Sequence, residues 1–157
     1  MKLAFALAGA AMFATTASAQ ADNVIRSVNI DDLEALALQA GHQVIGFGEL
    51  GEISVHARTP GNIDYYMTGT ACEAGSCQGI NFSARYAADD TVTLAKVNQS
   101  NVQRAAVNVW LMNGTTLGIS RYVILDGGMT EENVVFNRDN FLAIVPEILE
   151  MFTGGAG

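Results

Sequence analysis

Cys72 and Cys77 are the only two cysteines of this 157-residue chain, and they lie in the stretch ACEAGSCQG, residues 71–79. Four residues separate them, so they do not form the C-x-x-C of a thiol oxidoreductase. Four residues is an ordinary hairpin loop, and cysteines facing each other across antiparallel strands are within disulfide reach. The spacing therefore points to a staple that fixes strand register, with an entropic gain of about 2 kcal/mol or less for so short a loop.

His42 and His56 are the only histidines. With the cysteines they would complete a Cys2His2 set, but their separation is unlike the close H-x(3–5)-H pairing of such zinc sites. No metal ligand is assigned, and no cofactor. Gly46–Gly51 spells GxGxxG. That pattern binds a dinucleotide only where it opens a helix, and here it feeds EISVHAR, which alternates as a strand and brings Glu49 and Glu52 where a phosphate would sit. Ser54 and His56 share a strand face, yet GxSxG is absent and no third group is placed beside them. The sequence offers no catalytic residue, and a non-enzymatic protein is expected.

The N-terminus bears on the cysteines. MKLAFALAGAAMFATTASAQ has one basic residue, an apolar run from Leu3 to Ala14 and small residues at 17–19, the pattern of a secretory signal cleaved after Ala19. The run is short of the ~20 apolar residues that span a bilayer, and no later segment is long enough to anchor the mature chain. The expected location is the periplasm or the exterior, where paired cysteines oxidise. Lys2 is one of 8 basic residues against 16 acidic ones, so its removal takes the net charge from −8 to −9. Such a surface repels phosphate backbones, and nucleic acid is not an expected partner.

The elements that would position these residues follow from periodicity. Asn29 caps a helix across Ile30–Ala40, with Leu33, Leu36, Ala37 and Ala40 on one face and Gly41 as its stop. Segments 42–47, 52–58, 63–69 and 78–86 alternate as antiparallel strands. A second helix covers about 91–103, where Leu94, Val97, Asn98 and Asn101 share a stripe. Asparagines on such a stripe need partners. Asn98 and Asn101 are therefore candidate contacts for a partner or a ligand, with His56 near the same pocket. Segments 105–112 and 115–125 form a hairpin around Asn113-Gly114. On it Val107, Val109 and Leu111 point one way, and Trp110, Met112, Leu117 and Ile119 point the other, making the second set a candidate interface. Thr130 caps a last helix with a stripe of Phe141, Val145, Ile148, Leu149 and Phe152, and Pro146 predicts a kink there or a break near 137–140. The expected organisation is a signal at 1–19, a flexible leader at 20–28, one domain at 29–152 and a disordered tail at 153–157. The class is α+β, an antiparallel sheet with helices packed on one face.

Three stretches together resemble the YbjN-like family of bacterial sensory transduction regulators: Cys72…Cys77-Gln-Gly-Ile-Asn-Phe82, KVNQSN at 96–101, and LDGGMTEEN at 125–133, followed by the closing helix. The last is the most specific, and the resemblance spans about residues 29–152. Where family members often carry a tryptophan in the second helix, this chain has Ser100. The resemblance implies a fold like the type III secretion chaperones, which often dimerise and bind polypeptides, and it supplies no catalytic residues. The expected function is an exported, regulatory or chaperone-like module of the envelope that binds another polypeptide and forms a homodimer. The alternative is a small-ligand or metal-sensing periplasmic domain.

Overall fold

The structure, a computed structural model, describes residues 23–153. The expected signal at 1–19, leader residues 20–22 and tail residues 154–157 lie outside the described residues.

The described part of the leader is laid down in β-structure instead of hanging free. Strand β1 (Val24–Ile25) pairs antiparallel with β8 (Met129–Thr130). Val28 is fully buried and exchanges both backbone hydrogen bonds with Cys77, at 2.9 and 2.8 Å. Asn29 then caps α1 (Ile30–Gln39) through a complete capping box. Its side chain accepts from the Asp32 N–H at 3.0 Å, and the Asp32 carboxylate accepts from the Asn29 N–H at 2.9 Å. Leu33, Leu36 and Ala37 face the core. The helix stops at Gly41 (φ +71), where the His42 N–H reaches back to the Ala37 carbonyl at 3.1 Å, the αL ending that glycine favours.

Strands β2 (Gln43–Phe47), β3 (Ser54–Arg58), β4 (Asp64–Glu73) and β5 (Ser76–Ala87) form an antiparallel meander. After α2 (Leu94–Gln103), β6 (Asn108–Met112) and β7 (Thr116–Ile124) complete a six-stranded sheet of order β2-β3-β4-β5-β7-β6. Helix α3 (Glu131–Thr153) is capped by the Thr130 hydroxyl and closes the domain. It runs unbroken past Pro146, so the expected interruption at 137–140 is absent. An interior proline costs about 3 kcal/mol. Val134, Phe141, Val145, Ile148 and Phe152 are all buried along this helix, and that packing outweighs the lost bond.

The helices cover one face of the sheet. Val55, Tyr65, Met67, Ile80, Phe82, Ala84 and Ile119 are fully buried on it, with Phe82 stacked on Phe141. The fold is α+β with the helices on one face, as the sequence predicts.

Two turns differ from expectation. The strands around the cysteines continue to a two-residue turn, Ala74–Gly75, with φ of +48 and +85. At the β6–β7 hairpin, Asn113, Gly114 and Thr115 lie between paired Met112 and Thr116, three residues where Asn-Gly alone implies two. One added residue moves a whole strand to the other face. Leu117 therefore pairs with Leu111 and Ile119 with Val109, and both are buried with the core. Leu117 and Ile119 do not share a face with Trp110 and Met112, and they leave the candidate interface.

Candidate binding surface

The register lines up the opposite face of the sheet residue by residue. Gly46, His56, Tyr66, Ser83, Ser120 and Asn108 form one row across all six strands. Ser54, Thr68, Asn81 and Tyr122 form the row on one side of it. Arg85, Gly118 and Trp110 form the row on the other, on β5, β7 and β6. No described helix packs over these rows. Trp110 and Met112 belong to this face, whereas the sequence had grouped them with residues that turn inward.

Glycines let aromatic rings lie down on this surface. A Cβ on Gly118 would overlap the Trp110 indole, and one on Gly79 would fall 2.6 Å from the Tyr122 hydroxyl and 3.0 Å from its Cζ. Both rings occupy the space above a glycine on the next strand. The Tyr122 hydroxyl also accepts from Thr70 at 3.2 Å. His56 stacks on Tyr66 with ring centres 4.2 Å apart, and the Arg85 guanidinium lies 5.3 Å from the Tyr66 ring centre. Between the rings are small polar groups, among them Ser54 and Thr68 joined at 2.8 Å.

Charge on this face is sparse: Arg58 and Arg85, with Asp64 beside Arg58 and Glu52 over Gly48 at the β2–β3 link. Asp64 is held by Arg58 through Nε and, at 2.7 Å, through Nη2. The hydrogen bond from Arg58 keeps the Asp64 carboxyl below its ordinary pKa. Arg85 has no acidic partner among the described residues. Most acids of this −8 chain lie elsewhere, in α1, the loops, the cysteine hairpin and α3. The sheet is about 24 Å across; its five-residue strands β2, β3 and β6 are about 17 Å long, and β4 and β5 about 33–40 Å. That is the scale of a standard interface patch of roughly 800 Å² per partner.

The other candidate residues are dispersed. Asn101 is spent inside the fold: its amide donates to the Val109 carbonyl at 2.9 Å, and its oxygen accepts from the Val109 N–H at 2.7 Å. In this way α2 covers the backbone of edge strand β6, which would otherwise be open to another chain. Asn98 is exposed and makes no side-chain bond among the described residues. Its expected neighbour His56 lies on β3, four strands away from β6. These three residues do not form one pocket. Ser100 is fully buried and bonds the Val97 carbonyl at 2.8 Å, a packing position and not a contact for a partner.

Cys72 and Cys77 are joined by a disulfide between directly opposed residues. Cys77 is fully buried against Gly69, while Cys72 is exposed. Because Cys77 also pairs with Val28, the bridge ties the hairpin tip to the N-terminal strap. The GxGxxG stretch is the β2–β3 link, with the Gly48 N–H bonded to the Ser54 carbonyl at 2.8 Å.

One polar cluster escapes sequence reasoning. Arg138 of α3 is 4% exposed and donates to the Leu36 carbonyl, which α1 leaves open near its end, and to Asp139 at 2.8 Å. His42 lies beside it, its Nδ1 2.8 Å from the Tyr65 hydroxyl. Burial pushes the Tyr65 pKa up to about 12. Burial, then the Arg138 charge, lowers that of His42 against an opposing pull from Asp139. A lone arginine within a helical stripe reads as solvent-facing, so only its partners reveal it. Among the described residues, no three His, Cys, Asp or Glu side chains gather where one metal ion would sit. No helix there is long and apolar enough to cross a membrane.

Comparison with known proteins places this architecture. Residues 29–153 match the YbjN family, described as "Putative bacterial sensory transduction regulator". The crystal structure of YbjN from E. coli, described as "a putative transcription regulator", superposes with a TM-score of 0.51 over 80% of this chain and 86% of that one, at 16% identity. At that identity the likeness is one of fold. No curated protein matches the sequence. With the match covering the whole sheet and all three helices, the chain belongs to the YbjN family.

Proposed function

We propose that this protein is an exported, non-enzymatic binding module with a regulatory or chaperone-like role in the bacterial envelope, and that it binds another polypeptide through the outer face of its sheet. The composition of that face carries the reading. It holds the only tryptophan, Trp110, with Tyr66, Tyr122, Arg58 and Arg85 among Ser, Thr, Asn and Gly. Tryptophan, tyrosine and arginine are the residues that dominate binding energy at protein interfaces, and acids are depleted there. Export is supported by the N-terminal pattern and by the disulfide, which suits an oxidising compartment. The acidic net charge opposes a nucleic-acid partner.

The test is substitution on the outer face. Trp110→Glu and Tyr122→Glu should each weaken association with the partner purified from the periplasm by about tenfold or more, with the thermal melt still cooperative. A matching change on α2, Leu94→Glu, should leave association intact. Sedimentation of the purified chain alone reports whether that partner is a second copy. Unchanged association in both outer-face variants would remove the sheet face from the account.

A further inference from the structure

Arg85 is exposed on the outer face near the end of the inner strand β5, and no Asp or Glu oxygen lies within 4.0 Å of it among the described residues. The chain carries 16 acidic residues, and of the two on the neighbouring strand Asp64 is engaged by Arg58 while Glu73 stands at the far end, beside the cysteine turn. Arg85 is instead laid over the Tyr66 ring. A guanidinium held over an aromatic ring keeps N–H groups free for another partner, and its planar fork matches a carboxylate with two bonds. Gly118 lies directly opposite Arg85 and the Trp110 indole lies over Gly118, so the indole stands in the same row of the sheet as Arg85.

We infer that Arg85 is the anchoring point for an Asp or Glu side chain of an acidic polypeptide segment, held beside it by Tyr66 and Trp110. This rests on the outer face being the binding surface. A second copy docking through the same face would bring Arg85 against a surface where Asp64 is already taken by Arg58 and Glu52 sits apart at the β2–β3 link, over Gly48. The chemistry therefore selects a different, acidic partner.

The position of Trp110 makes the test direct, because it is the only tryptophan and its emission reports on this row alone. The full mature chain is titrated with short peptides of alternating Glu and Thr, Gln and Thr, or Lys and Thr. The Glu peptide should change the emission saturably, more weakly as salt is added, and the Lys peptide should not. Arg85→Gln should weaken the Glu peptide about tenfold or more. Arg85→Lys should also weaken it, because a point charge lacks the fork. Arg104→Gln, which removes a guanidinium already paired with Glu147, should bind as the unaltered chain does. Equal binding of Glu and Gln peptides, or equal binding by both Arg85 variants and the unaltered chain, would overturn the role of Arg85 while leaving the face a binding surface. No emission change with any peptide would overturn both.

Discussion

Trp110 and Gly118 face each other across β6 and β7, and the indole occupies the space a side chain at 118 would fill. The pair sets the character of the outer sheet: the large ring lies down because its neighbour has no Cβ. Gly118→Ala should lift the ring from the sheet, shift Trp110 emission to longer wavelength and lower the melting temperature, a loss of about 1–3 kcal/mol for forced repacking. Emission and melting unchanged from the parent would mean that the ring does not depend on the glycine.

Asn101 supplies β6 with the hydrogen bonds of an absent seventh strand. Asn101→Ala leaves the Val109 N–H and carbonyl without partners and should cost about 1–3 kcal/mol in urea unfolding. The Val109 amide should lose hydrogen-exchange protection before its neighbours on β7. Asn101→Asp should lie between the two, since a carboxylate accepts from the N–H but cannot donate to the carbonyl.

The disulfide joins an exposed and a buried cysteine, and the two serine variants should separate. Both lose a cross-link worth about 2 kcal/mol. Cys77→Ser also puts a hydroxyl into a fully buried position, so its denaturation midpoint should fall below that of Cys72→Ser. Equal midpoints would show that the buried position tolerates the hydroxyl.

His42 should make stability depend on pH. Its pKa is lower in the folded protein than its ordinary value of 6.5, so the unfolded chain binds the proton more readily. Its contribution is therefore present above 6.5 and is lost as pH falls through the folded value. The groups facing it are Tyr65 on β4 and Arg138 and Asp139 on α3. His42→Gln should flatten the melting temperature against pH across that interval, and an unaltered slope would place the dependence elsewhere.

Legibility in the sequence followed the range of each interaction. The α1 cap was readable because Asn29 and Asp32 are three residues apart, and the α3 stripe because its period is local. The cysteine pair was readable from spacing, but the turn between the cysteines was not, since Ala74 gives no sign of a positive φ. Asn113-Gly114 announced a hairpin without announcing its length, and the extra Thr115 reversed the faces of Leu117 and Ile119. The strap at Val24–Val28 was missed because its partners, Met129, Thr130 and Cys77, lie far along the chain. The outer face was hidden for the same reason, since the row from Gly46 to Asn108 exists only once six strands are in register.

The most direct test of that face is photo-crosslinking in intact cells of the native host, with a benzophenone side chain placed at Met112 on the outer face or at Leu94 on α2, both exposed. The adduct is identified by mass spectrometry and reassembled from purified components. The account predicts a discrete adduct with an acidic polypeptide from Met112 and none from Leu94. An adduct from Leu94 alone, or none from either, would contradict the outer sheet as the binding surface.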